Sequence, residues 1–65
     1  MAIGSLKFLD RGFGFITRDD PGEDVFIHER EAQKSGVVLV PGLRLAFDVE
    51  MAPKGPRAIN IELAE

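Results

Sequence analysis

The chain has 65 residues, no cysteine and a formal net charge of −3. That length bounds one small domain over residues 1–65, able to bury only about 60% of the surface its unfolded chain exposes, with no disulfide staple and no thiolate metal site. The mild negative charge excludes nucleic-acid binding by bulk charge alone but leaves local patches open.

No apolar run has the length to cross a bilayer, and no basic region followed by an apolar stretch marks a secretory signal. A cytoplasmic setting is expected. Ala2 to Leu9 reads as a first strand with an imperfect pattern. Simple alternation puts Leu6 and Phe8 on one side, so either Phe8 is core or a bulge or strong coil turns it outward. Asp10-Arg11-Gly12 makes a tight connection into a second strand, Phe13 to Arg18. Asp19-Asp20-Pro21-Gly22-Glu23 is a turn, with Pro21 pre-setting the second position and Gly22 permitting a positive angle at the third. A third strand, Asp24 to His28, is then the antiparallel neighbour of the second.

Glu29 to Ser35 is polar and rich in helix formers, enough for one short helical turn ended by Gly36. Val37 to Val40 is strand, or a loop plugging one end of the core. Pro41-Gly42 is a turn. From Leu43 to Met51 alternation is clean: Leu43, Leu45, Phe47, Val49 and Met51 inward, Arg44, Ala46, Asp48 and Glu50 outward. Ala52 to Pro56 breaks the run. The last strand, Arg57 to Leu63, points Ile59, Ile61 and Leu63 inward and Ala58, Asn60 and Glu62 outward. Five short strands with almost no helix imply an all-β protein. Curling the sheet into a five-stranded barrel removes most exposed edges, giving an OB-type fold.

The functional signal lies in Arg11-Gly12-Phe13-Gly14-Phe15-Ile16 and Val25-Phe26-Ile27-His28. Phe13 and Phe15 share one face of their strand, and Phe26 and His28 share one face of theirs. Paired, the two strands present one aromatic platform. Inverting them would expose Ile16, Val25 and Ile27 instead. Exposed aromatic clusters suit stacking on unpaired bases, each stack being worth about 1–3 kcal/mol. Lys7, Arg11, Arg30, Lys34, Lys54 and Arg57 are candidates for a basic rim, whereas Arg18 and Arg44 read as surface charge. His28 is the sole histidine and has no partner nucleophile, so no catalytic residue and no enzymatic activity are expected. Asp19, Asp20, Glu23 and Asp24 lack cation-loop spacing and read as a solvated hairpin tip. No helix follows Gly12 and Gly14 to make a phosphate loop.

These residues resemble the cold-shock domain family of small bacterial cold-shock proteins. Arg11 to Ile16 looks like its first ribonucleoprotein motif, normally Lys-Gly-Phe-Gly-Phe-Ile, and Asp24 to His28 looks like the second. Gly4 to Lys7 with Phe8 resembles the opening strand, and Gly55-Pro56 followed by Ala58 and Asn60 resembles the closing motif. The resemblance implies a closed five-stranded antiparallel barrel. It implies base-stacking roles for Phe8, Phe13, Phe15, Phe26 and His28, with Phe8 turned outward by strand coiling. Lys7 and Arg11 match lysines able to approach phosphates, and Arg57 stands where the family often has glutamine. The chain departs from the pattern in several places. Phe8 replaces a tryptophan, Leu9 and Val37 replace aromatics, and Glu29 follows the motif histidine. The Asp10-Arg11 connection is about two residues shorter than usual. Each lost aromatic removes a stack and Glu29 opposes phosphates, so binding weaker than in a typical member is expected.

The expected partner is single-stranded RNA or DNA, bound with low sequence specificity by a monomer acting as an RNA chaperone or regulator of transcription or translation. No cofactor, metal, membrane or small-molecule substrate is expected. An RNA recognition motif shares the Arg-Gly-Phe-Gly-Phe signature but needs two helices and the opposite motif order. A barrel that binds a protein partner through its apolar face is the alternative.

Overall fold

A computed structural model describes residues 2–20 and 22–64. Five strands, β1 (Ala2–Asp10), β2 (Phe13–Arg18), β3 (Val25–His28), β4 (Arg44–Ala52) and β5 (Gly55–Leu63), close a barrel in the order β1-β2-β3-β5-β4. One short helix, α1 (Glu29–Lys34), follows β3. Four seams are antiparallel. The closing β3–β5 seam is parallel and rests on the single pair Phe26↔Arg57, a departure from the all-antiparallel ring expected. Leu6, Ile16, Val25, Ile27, Leu45, Phe47, Ala58 and Ile61 fill the barrel. Ala32 of α1 and Leu39 of the following loop close one end, so Val37 to Val40 is a plugging loop and not a strand.

Two bulges reset the alternation. Between Leu6↔Ile16 and Phe8↔Phe15, β1 advances two residues while β2 advances one, leaving Lys7 extra. Leu6 is therefore buried and Phe8 turns out, 41% exposed. A discrete bulge, more than strand coiling, resolves the conflict in the first strand. On the other side of the barrel, β4 advances from Ala46 to Asp48 while β5 retreats from Glu62 to Ile59. The extra residue in β5 lies next to Asn60, whose φ is 52°, a left-handed conformation that asparagine tolerates.

That bulge overturns part of the expected inward stripes. Ala58 and Ile61, three apart, are the buried residues of β5, while Leu63 is exposed and Ile59 only half-buried. In β4 the run Leu45-Ala46-Phe47 is buried, whereas Val49 is exposed and Met51 is 75% exposed. Val49 is exposed even though its partner Ala58 belongs to the core.

Asp10↔Phe13 pair across a two-residue loop in which Arg11 (φ 53°) and Gly12 (φ 86°) are both left-handed, the type I′ geometry that matches strand twist. The Val40-Pro41-Gly42-Leu43 turn closes with the Leu43 amide on the Val40 carbonyl at 3.1 Å, and the Gly42 amide donates to the Leu6 carbonyl at 2.7 Å. This continues β1 beyond its pairing with β4. The turn expected at Pro21 lies outside the described residues.

The helix is short because both ends are capped. His28 Nδ1 accepts the Arg30 amide at 3.0 Å. At the other end the Val37 amide donates to Ala32 O at 2.9 Å and the Gly36 amide to Gln33 O at 3.1 Å, the pattern of a Schellman stop with a left-handed Gly36.

Candidate nucleic-acid interface

The β2–β3 register, Phe13↔His28 and Phe15↔Phe26, places the motif side chains on one exterior face. Phe13 and Phe26 stack with ring centroids 5.8 Å apart, Phe15 meets Phe26 edge-on at 5.9 Å, and Phe8 meets Phe15 tilted at 5.5 Å. Four rings thus form one continuous surface, since the Lys7 bulge brings Phe8 alongside Phe15. Gly14 makes the approach possible: a Cβ there would lie 2.1 Å from the Phe8 carbonyl oxygen.

Phe13, Phe15 and Phe26 form one wall of an open groove of about 630 Å³. The opposite wall is Ala52, Pro53, Lys54, Gly55 and Arg57. The sequence reading marked Lys54 and Arg57 but missed the flanking Ala52-Pro53. Its available signal was a two-residue hairpin loop, Ala52↔Gly55, pairing directly into the strand that carries Arg57.

Of the predicted rim, Arg57 lines the groove. Its guanidinium donates to the Glu50 carboxylate, and its Nε is buried without a partner. Lys7 stands at the bulge beside Phe8, its Nζ 3.3 Å from Asp24 Oδ2. Arg11 occupies the turn before Phe13, and Lys54 the tip of the β4–β5 loop; neither has a carboxylate partner among the described residues. Lys7 and Arg11 do not line the groove, nor do Arg30 and Lys34 on α1, and Lys34 pairs with Glu31 at 3.3 Å. His28 is exposed beside Phe13 but also caps α1. With Nδ1 accepting, the ring hydrogen sits on Nε2, pointing a donor away from the cap. Sequence reasoning missed this structural duty, although His28 immediately precedes the helix-forming run.

Glu29 is less intrusive than its place in the sequence suggests. Its amide donates to Gly12 O at 2.8 Å, and its carboxyl lies beside the β1–β2 turn. It lines a smaller cleft with Leu9, Gln33 and Val37 to Leu39, not the aromatic groove.

Asp19, Asp20 and Glu23 are exposed, in keeping with a solvated hairpin tip, but Arg44 is more than surface charge. Arg44 clamps Asp19 through two bonds of 2.7 and 2.5 Å and also donates to Ser5 Oγ at 3.1 Å. Hydrogen bonding from Arg44 holds the Asp19 carboxyl below its ordinary value. A desolvation effect opposes this shift, and the guanidinium charge adds to it. The same contact raises Arg44. No cluster of three metal-ligating side chains occurs among the described residues, and none of their helices is long and apolar enough to cross a membrane.

The model of the 'Cold-shock' DNA-binding domain matches residues 2–64. The chain belongs to the cold-shock domain family. It is 44% identical over 61 residues to the cold shock protein CspV of Vibrio cholerae, covering 89% of this chain and 87% of that one. It is 45% identical over 64 residues to the major cold shock protein of Streptococcus pyogenes, covering 94% of each. A cold shock-like protein of Aquifex aeolicus is 43% identical over 63 residues, covering 92% of this chain and 90% of that one. Among solved structures, Drosophila Unr CSD456 superposes with a TM-score of 0.82 at 22% identity, covering 98% of this cold-shock chain and 26% of the longer one. That likeness bears on the fold alone. Cold-shock domains are a nucleic-acid-binding family, which agrees with the aromatic face built on β1, β2 and β3.

Proposed function

We propose that this cold-shock domain, acting as one unit over residues 1–65 in the cytoplasm, binds single-stranded RNA or DNA with low sequence specificity. Bases stack on Phe8, Phe13, Phe15, Phe26 and His28, while Arg11, Lys54, Arg57 and Lys7 meet the strand from the rim. The observation that carries the reading is the unbroken chain of ring contacts from Phe8 to Phe13 facing an open groove. A duplex hides its base faces in its own stack, so such a surface favours unpaired strands. No chemistry is required. Binding to unpaired bases shifts RNA toward its open forms in proportion to the difference in affinity, the action of an RNA chaperone or a regulator of transcription or translation.

The test is an anisotropy titration of labelled hexathymidylate against wild type, Phe15→Ala and Phe26→Ala, with far-UV circular dichroism to establish folding. Loss of one stack, about 1–3 kcal/mol, weakens binding roughly 5- to 150-fold. Folded variants that bind as tightly as wild type would sink the stacking reading.

A further inference from the structure

The four cations flanking the aromatic face fall into two kinds, although only Lys54 and Arg57 line the groove itself. Arg11 and Lys54 have no carboxylate partner among the described residues, whereas Arg57 is held by Glu50 and Lys7 by Asp24. Glu50 and Arg57 face each other across the β4–β5 ladder, so their contact is built into the strand register. Lys7 reaches Asp24 from the bulge that turns Phe8 outward. Both pairs are open to solvent. The Arg57 and Glu50 side chains are 41% and 47% exposed, so either can be exchanged for an incoming anion at little cost.

A second observation concerns Arg57 itself. Its Nε lies out of solvent with no acceptor while Glu50 holds the other end of the guanidinium. The pair thus leaves one donor unsatisfied on a side chain that lines the ligand groove. A buried unpaired donor is costly, so the pair with Glu50 leaves this side chain incompletely satisfied.

Resting on the assignment of this groove to nucleic acid, we propose that Glu50 is an internal competitor for the ligand. Its carboxylate occupies the guanidinium that a nucleic-acid strand would engage, and Asp24 does the same at Lys7. A strand must displace both carboxylates, which then remain nearby as like charges. The interface therefore selects for base faces over phosphate charge.

The consequence is a shallow salt dependence. For single strands, log affinity falls against log salt with a slope of about −0.7 per phosphate neutralised. Arg11 and Lys54 alone give a slope of roughly −1.4, and all four cations roughly −2.8. The experiment titrates labelled hexathymidylate against wild type, Glu50→Gln, Asp24→Asn and Glu62→Gln at 50–200 mM potassium chloride. Glu62 is exposed and outside the groove, so its variant carries the same change in net charge without freeing a rim cation.

Glu50→Gln is expected to bind about two- to fivefold tighter than Glu62→Gln at the lowest salt, with a slope steeper by about 0.7. Asp24→Asn is expected to act in the same direction. If Glu50→Gln and Asp24→Asn, both folded by circular dichroism, match Glu62→Gln in affinity and slope, the competitor is overturned. A titration of Phe15→Ala in the same series separates the two ideas. Normal dependence on Phe15 with no Glu50 effect removes only the competitor, and no dependence on Phe15 removes the groove assignment and the competitor with it.

Discussion

Gly14→Ala tests whether the platform exists because β1 can cross β2 at contact distance. The new Cβ would lie 2.1 Å from the Phe8 carbonyl oxygen and 3.2 Å from Leu9 Cα, whereas real Cβ atoms essentially never come within 3.0 Å of another heavy atom. The obstacle is backbone, so no side-chain rotation relieves it. The strands must separate by roughly 0.9 Å, which stretches ladder hydrogen bonds of ordinary length beyond bonding range. Overpacking costs about 1–3 kcal/mol, and two weakened ladder bonds add about 1 kcal/mol each. The sum, about 3–5 kcal/mol, rivals the whole stability of a chain this size, roughly 3–10 kcal/mol.

The chain has no tryptophan or tyrosine, so urea unfolding is followed by far-UV circular dichroism. Gly36→Ala is the control. Its Cβ would meet nothing within 4 Å, and only the left-handed angle penalises it, by about 1–2 kcal/mol. Gly14→Ala should be largely unfolded in buffer, and Gly36→Ala folded with a lowered midpoint. A Gly14→Ala protein within 1 kcal/mol of wild type would refute the close-approach argument.

Other substitutions separate stability from binding. Arg11→Asn places a residue that tolerates the left-handed region where arginine now sits; thermal melting should rise by roughly 2–4 °C, for a gain of about 0.5 kcal/mol, while the slope of binding against salt in an oligonucleotide titration becomes shallower. His28→Ala should cost about 1 kcal/mol in urea unfolding through loss of the helix cap. His28→Asn restores the cap without the ring, so its melt should match wild type while its oligonucleotide affinity stays reduced. Asp19 has a folded value below its ordinary 3.8. Its contribution to stability is therefore complete above the unfolded value and disappears as pH falls through the lower folded one. Acid melts of Asp19→Asn should be flatter than wild type below about pH 4, and an unchanged acid limb would remove Arg44–Asp19 from the account.

Much of this was legible because it depends on local alternation. Phe13, Phe15 and Phe26 share a face by strand parity, and Phe47 belongs to the core for the same reason. The failures cluster where a residue is inserted into a ladder. Ile61 is inside as expected, but the β5 bulge put Ala58 inside with it and left Ile59 half-buried and Leu63 exposed; its only trace in the sequence was an asparagine able to take a left-handed angle. The first-strand conflict was visible at Leu6 and Phe8, but which residue bulged depended on the partner strand. The ion pairs were invisible for another reason. Lys7 with Asp24 and Arg44 with Asp19 join positions 17 and 25 apart, brought together only by the pairing of β1 with β2 and β4 and of β2 with β3. Glu29 looked adjacent to the platform because it follows His28, yet the start of α1 turns it toward the β1–β2 loop.

The parallel seam at Phe26↔Arg57 makes the barrel resemble a clasp. β1, β2 and β3 join through short connections, as do β4 and β5, and each set can form locally before the long-range seam closes. On one side the two sets are joined by the four-pair β1–β4 seam, and on the other by one register pair, a thin fastening. The groove straddles that fastening, with Phe26 on one side and Arg57 on the other. On the proposed function, a nucleic-acid strand lying in it would be a further fastening across the same gap. Ligand and fold would then share one free energy, and a chain of marginal stability would be most durable while holding its cargo.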